Sequence, residues 1–269
     1  FNRMLFFKKC GKIYIDVRSG NMNLLEKKAY VDENLHYVPK EEIELYEQNF
    51  AWVYTRNSAC IEGHEISLEE VVSITKGMGF SVKRDGTLVR SVYNHFLAFN
   101  MVKERAKETS ELTEDFFKDV HEELMKGIIN GGLYRNVNIT IKGSNHTPCD
   151  YVKVYDRMNK FFYDINHYNG TALERAAYAH LQIAKVHPFL DGNGRMARLM
   201  MNFCLISAGF LPISISRKTK IKTEYFASLE AFKVDKTMEP FISLLNQLLN
   251  NEYDRLILLI DQYKDKVQK

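Results

Sequence analysis

The stretch HPFLDGNGRMAR, residues 187–198, gathers side chains able to do chemistry at a density found nowhere else in the chain. His187 has an ordinary pKa near 6.5, so it can take a proton near neutrality. Gly192, Asn193 and Gly194 can adopt the positive-φ, nest-like conformations that turn successive N–H groups inward around an anion. A helix starting near Gly194 would add its unsatisfied N–H groups and the positive end of its dipole at the same place. Arg195 falls in that first turn, where a cation opposes the dipole and needs a local anion. Arg198 lies three residues on, along the same face. Two guanidiniums over an anion nest suit a polyphosphate gripped by bidentate contacts. Asp191 would repel a bare phosphate unless a Mg²⁺ bridged the two. Two accounts compete here: a tight charged turn, or a phosphate cradle with its own base. Each residue alone has a structural explanation, but all of them within twelve positions favour the cradle.

Such a loop needs a helix on each side, and the hydrophobic spacing provides both. TALERAAYAHLQIAKV opens with a capping box, Thr171 and Glu174, and ends at His187 because Pro188 disfavours the α conformation before it. GRMARLMMNFCLISAG runs from about Gly194 to Gly209. Upstream, KEEIELYEQNFAWVYTRNSACIEG keeps a helical period up to Gly63, and SLEEVVSITKGMG carries a second box, Ser67 with Glu70. LVRSVYNHFLAFNMVKERAKE is a longer helix. LTEDFFKDVHEELMKGI has Thr113 as N-cap and Phe116, Phe117, Val120 and Leu124 on its core face. Downstream come KTEYFASLEAF and a long apolar tail helix able to serve a homodimer. The period changes to two in NVNITIKGSNHTPCDYVKVY, where a Gly-Ser-Asn turn at 143–145 predicts a β-hairpin, the one β element expected. The fold class is therefore mainly α, without repeats or linkers.

Bulk properties remove several function classes. A net charge of +3 over 269 residues gives no electrostatic footprint for nucleic acid or an anionic membrane. No apolar run reaches the roughly 18 residues of a spanning helix. Cys10, Cys60, Cys149 and Cys204 are scattered, which argues against a disulfide framework or zinc ribbon and for a reducing cytoplasm. GMGFSV at 77–82 follows a helix, not a strand, and lacks the third glycine of a dinucleotide loop. His180 and His187 share a helix face without a third ligand.

HPFLDGNGRMAR resembles the signature of the Fic family, H-P-F-x-[D/E]-G-N-G-R-x-x-R, at every defined position. LYRNVNITIKGSNHTP is similar to that family's flap hairpin, with Cys149 where a second proline is frequent, and the likeness extends over roughly residues 50–245. It implies a Fic-type helical core at 110–245, an N-terminal helical region at 1–109 and a C-terminal helix at 246–269. It also implies transfer of AMP from ATP to a Ser, Thr or Tyr hydroxyl of a target protein. His187 would be the general base and Asp191 the Mg²⁺ ligand. The backbone of Gly192 to Gly194 and the Asn193 side chain would cradle the phosphates, with Arg195 on the transferring and leaving groups and Arg198 on the γ-phosphate. Tyr225 would line the adenine pocket, while Ile141 and Lys142 of the flap would align the target by main-chain pairing. NSACIEG, residues 57–63, resembles the inhibitory helix of many Fic proteins, with His64 where asparagine is frequent. The resemblance assigns Ser58 and Glu62 to that motif and pairs Glu62 with Arg198, against the γ-phosphate. Phosphorylation, transfer of another nucleotide, removal of AMP, or a non-catalytic module are the alternatives the family resemblance leaves open.

Overall fold

The computed structural model describes residues 22–78, 84–141 and 147–267. Among these residues there are ten α-helices and no strand. They are α1 (Leu24–Asn34), α2 (Lys40–Ile61), α3 (Leu68–Thr75), α4 (Gly86–Glu108) and α5 (Glu114–Met125), followed by α6 (Val154–Asn166), α7 (Ala172–Val186), α8 (Asn193–Ser207), α9 (Thr219–Asp235) and α10 (Glu239–Val267). No helix among the described residues is long and apolar enough to cross a membrane.

The caps read from sequence form. Ser67 and Glu70 close a reciprocal box at the start of α3, and Thr171 and Glu174 do so at α7. Thr113 accepts the Phe116 N–H ahead of α5. Each satisfies backbone donors that a helix start would otherwise leave bare.

The expected β-hairpin is corrected. Residues 137–141 and 147–150 are irregular, and the turn at 143–145 lies outside the described residues. The C-terminal arm of the expected hairpin starts a helix instead. Asp150 caps a 3₁₀ turn at Tyr151–Lys153 that runs into α6. Val154, Met158, Phe161 and Ile165 are buried along it, a spacing of four, three and four that outweighs the short alternation in DYVKVY. Main-chain groups that a ladder would pair are met by side chains: the Asn138 Oδ1 accepts the Tyr151 N–H at 2.8 Å.

The chain divides into two compact units. One comprises residues up to Ile43 with Leu249 onward, the other Glu44–Leu248. In the first, Lys27 pairs with Asp254 at 2.7 Å and the Tyr30 hydroxyl donates to Asp261 at 2.6 Å. The second holds every described site residue named above. Its core joins α7 and α8, with Ala176, Ala177, Ile183, Met196, Leu199 and Phe203 fully buried. The loop 187–192 connects these two helices, so helices with fully buried core residues hold both of its ends.

Candidate functional site

The loop leaves α7 through a strained residue. His187 caps that helix in the left-handed region, φ 53° and ψ 60°, where Pro188 excludes the α conformation and only tertiary contacts hold a non-glycine residue. Its Nδ1 lies 3.2 Å from the Ala184 carbonyl. A carbonyl only accepts, so Nδ1 carries the proton and Nε2 is the basic nitrogen. Phe189 then dives into the core, fully buried against the ring of His121 at 3.5 Å.

Gly192 is the second left-handed position, φ 78°, and the N-cap of α8, with no side-chain cap. A Cβ there would sit 2.6 Å from the Met125 Cε. The first turn of α8 therefore opens onto the loop with its N–H groups unprotected by a cap. Asn193, 1% exposed, uses its side chain to close the loop: Oδ1 accepts the Phe189 N–H and Nδ2 donates to the Phe189 carbonyl, both at 2.9 Å. Its amide shapes the nest, and its backbone belongs to it. The Asp191 carboxylate is 65% exposed beside this opening. Among the described residues no cluster of three His, Cys, Asp or Glu side chains is placed to hold a metal ion. A divalent cation would find one protein carboxylate, Asp191, and need phosphate oxygens to complete its shell.

The two arginines lie under a carboxylate from elsewhere. Glu62 Oε1 is 2.7 Å from Arg198 Nη2, and Glu62 Oε2 is 3.2 Å from Arg195 Nε. The second contact is an ion pair without an aligned hydrogen bond, since the buried Arg195 Nε has no hydrogen-bond partner. Arg195 is held instead by Ser91 Oγ at 2.7 Å and Asp191 Oδ2 at 3.3 Å. Arg198 is 2% exposed and donates from Nε to Ser58 Oγ at 2.9 Å. Burial alone would weaken its hold on its proton; Glu62, with Tyr225 and Tyr54, raises its pKa above the ordinary value. A Cβ on Gly194 would lie 3.4 Å from Glu62 Oε1, so the carboxylate stands directly over the nest.

Local backbone chemistry puts it there. Helix α2 ends at Ile61 with His64 N–H bonded to the Ala59 carbonyl and Gly63 N–H to the Cys60 carbonyl, the Schellman pattern, and Gly63 takes φ 96°. Glu62 is thus the cap residue one step past the helix, still near Ser58.

The remaining expected residues lie at the edge of the cluster or beyond it. Tyr225 on α9 is 3% exposed, its hydroxyl 3.0 Å from His180 Nε2, in the core beside Arg198. Ile141 is half-buried in an irregular segment, and Lys142 lies outside the described residues.

Three residues escaped the sequence. Ser91 anchors Arg195 from α4. Arg135 holds the His187 carbonyl at 2.8 Å from Nε. His121 accepts the Gly132 N–H at Nδ1 (2.9 Å), so Nε2 carries the proton and donates to the Asp191 carbonyl at 3.0 Å. Burial, more than the opposing Asp191 contact, lowers its pKa from 6.5 to about 4. A histidine among Phe117, Val120 and Leu124 on a core face was the available signal for His121. Ser91 and Arg135 had none.

Comparison with known proteins meets this geometry. Residues 111–205 match the model of the Fic/DOC family. The protein adenylyltransferase fic-1 of Caenorhabditis elegans is 28% identical over 201 residues, 71% of this chain and 38% of that protein. The protein adenylyltransferase Fic of Drosophila persimilis is 28% identical over 191 residues, 68% of this chain and 36% of that protein. The chain thus spans less than two fifths of these relatives. A Fic domain containing signaling protein from Bacteroides thetaiotaomicron shares the fold with a TM-score of 0.76 at 22% identity, over 90% of this chain and 96% of that one. Fic-1 (residues 134–508) from C. elegans does so with a TM-score of 0.74 at 21% identity, over 89% and 71%. The stretch that matches the Fic/DOC family model thus runs from α5 into α8 and contains the whole of the loop 187–192.

Proposed function

We propose that the chain is a protein adenylyltransferase that moves AMP from ATP to a hydroxyl of a target protein, and that Glu62 holds it inactive. The observation that carries this reading is the one carboxylate, Glu62, shared between Arg195 and Arg198 directly over the nest at Gly194. An uncapped helix start beneath two buried guanidiniums is built for phosphates, and Glu62 now occupies that position. The relatives' names support the choice of adenylyl transfer among phosphate chemistries.

In the reaction the target oxygen attacks the α-phosphorus, the bond to pyrophosphate breaks, and the hydroxyl proton passes to His187 Nε2. The Nδ1 contact to Ala184 keeps that nitrogen basic and aimed. The N–H groups at the start of α8 and Arg195 stabilise charge on the transferring and leaving groups, and Arg198 grips the γ-phosphate. Asp191 would hold Mg²⁺ together with the nucleotide, which supplies further neutralisation of the phosphate oxygens.

The test uses the Glu62→Gly variant with ATP labelled separately at the α- and γ-positions. Incorporation from the α-position into the protein or a target, at least about tenfold above the parent, is expected, equivalent to about 1.4 kcal/mol of relieved competition. Incorporation from the γ-position would replace the reading with phosphorylation. No incorporation from either would leave a non-catalytic module.

A further inference from the structure

Arg135 is a charge in the wrong place for a structural residue. It is 3% exposed, and among the described residues no carboxylate pairs with it. All its contacts are neutral. Nε donates to the His187 carbonyl at 2.8 Å, Nη1 to the Val137 carbonyl at 3.1 Å, and Nη2 to the Cys149 carbonyl at 2.5 Å. Nη2 also reaches the Val186 carbonyl at 3.4 Å, and the Arg135 N–H donates to the Pro188 carbonyl at 2.8 Å. The planar fork thus collects carbonyls from three stretches of chain: the loop at 186–188, and both feet of the segment 137–149. No strand ladder joins those feet, so the guanidinium supplies the join.

This has a consequence for the left-handed His187. A non-glycine residue at φ 53° is held by its surroundings and not by its own preference. Its carbonyl is fixed by Arg135, which also holds the carbonyls of Val137 and Cys149. We propose that Arg135 is a positioning residue that sets the base and the two described flanks, 137–141 and 147–149, as one unit. The alignment of a target hydroxyl with His187 Nε2 then depends on a side chain that touches neither nucleotide nor target. The inference rests on the transfer reaction proposed above.

The experiment compares Arg135→Lys and Arg135→Ala in the Glu62→Gly protein, with two independent readouts. The first is turnover alongside ATP affinity. Lysine offers a point charge without the fork, so both variants should lose kcat, alanine on the order of 100-fold, with ATP affinity within about twofold of the parent because the nest is untouched. Added guanidinium ion should restore part of the alanine variant's turnover and none of a His187→Ala control's. The second readout is amide hydrogen exchange, which needs no activity. Exchange should rise together in peptides covering 137–141, 147–149 and 187–190. Full turnover in the lysine variant overturns the proposal, as does loosening of the 137–149 feet with 187–190 unchanged. If the Glu62→Gly protein itself transfers nothing, the function reading falls while exchange still decides whether Arg135 couples the two segments. If the alanine variant fails to fold, the lysine variant carries both readouts.

Discussion

The two ends of the loop at 187–198 are held by different forces. At the His187 end the grip is neutral or made to backbone: Asn193 to Phe189, His121 to the Asp191 carbonyl, Arg135 to the His187 carbonyl. At the arginine end the grip is charge on charge, Glu62 on Arg195 and Arg198. Hydrogen bonds to backbone have no competitor among small anions, whereas an ion pair exchanges its carboxylate for a phosphate at little net cost. The proposed base, His187, is therefore the fixed half of the loop, and the proposed phosphate site is the exchangeable half. Glu62 is suited to the exchange: its side chain keeps 28% exposure while Arg198 beneath it has 3%.

The comparison breaks most sharply at His187. His187→Ala removes the proton acceptor and leaves the nest, both arginines and Asp191 in place. In the Glu62→Gly background, transfer should fall about a thousandfold, within the range for loss of general base catalysis, while ATP affinity measured by calorimetry stays near the parent's. Retention of transfer would take the base role from His187. Loss of ATP affinity to the same degree would show that the two ends are not separable.

The neutral end has its own test in pH. Burial holds the pKa of His121 at about 4 against an ordinary 6.5. Between these values the unfolded chain binds a proton that the folded chain refuses. The stability that neutral His121 provides is complete above about pH 6.5 and drains away as pH falls toward 4, by roughly 3 kcal/mol in all. His121→Gln can keep the donor to the Asp191 carbonyl without titrating. Urea unfolding at a series of pH values should show a shallower slope in that window for the variant. Buried His180, with a pKa near 3, and His95 keep the slope above zero. Equal slopes would mean that His121 does not resist protonation in the folded protein.

What the sequence made legible was what it encodes locally. His187, the Gly-Asn-Gly turn and both arginines lie within twelve residues, and each helix cap within four, so local spacing sufficed to place them on one loop between two helices and at the helix starts. The segment after Tyr134 was misjudged because a short alternation and the start of an amphipathic helix look alike over DYVKVY; Met158, Phe161 and Ile165 beyond it decide the matter. The supports were hidden for another reason. Ser91 reaches Arg195 across 104 positions and Arg135 reaches His187 across 52, and nothing in either local pattern signals such a contact. Glu62 was expected on Arg198 alone. Its second oxygen on Arg195 follows from where Gly63 ends the helix, a geometry no spacing rule reports.

Ser58 sharpens the charged end with the smallest effect. Its hydroxyl accepts from Arg198 Nε at 2.9 Å, while its carbonyl accepts from Nη2 at 3.3 Å. Ser58→Ala removes the first contact and keeps the second, together with Glu62. A buried guanidinium N–H without its acceptor raises the energy of the closed arrangement by about 1 kcal/mol. If that serine is also used when nucleotide is bound, the loss falls on both states and transfer does not change. If it serves only the arrangement with Glu62, the loss falls on the closed state and transfer by the otherwise unmodified chain rises, roughly fivefold at most. The Glu62→Gly, Ser58→Ala double variant separates these. An activation by Ser58→Ala that disappears in the Glu62→Gly background shows that the two residues act as one latch, while a loss of transfer in that background places Ser58 in the phosphate site itself.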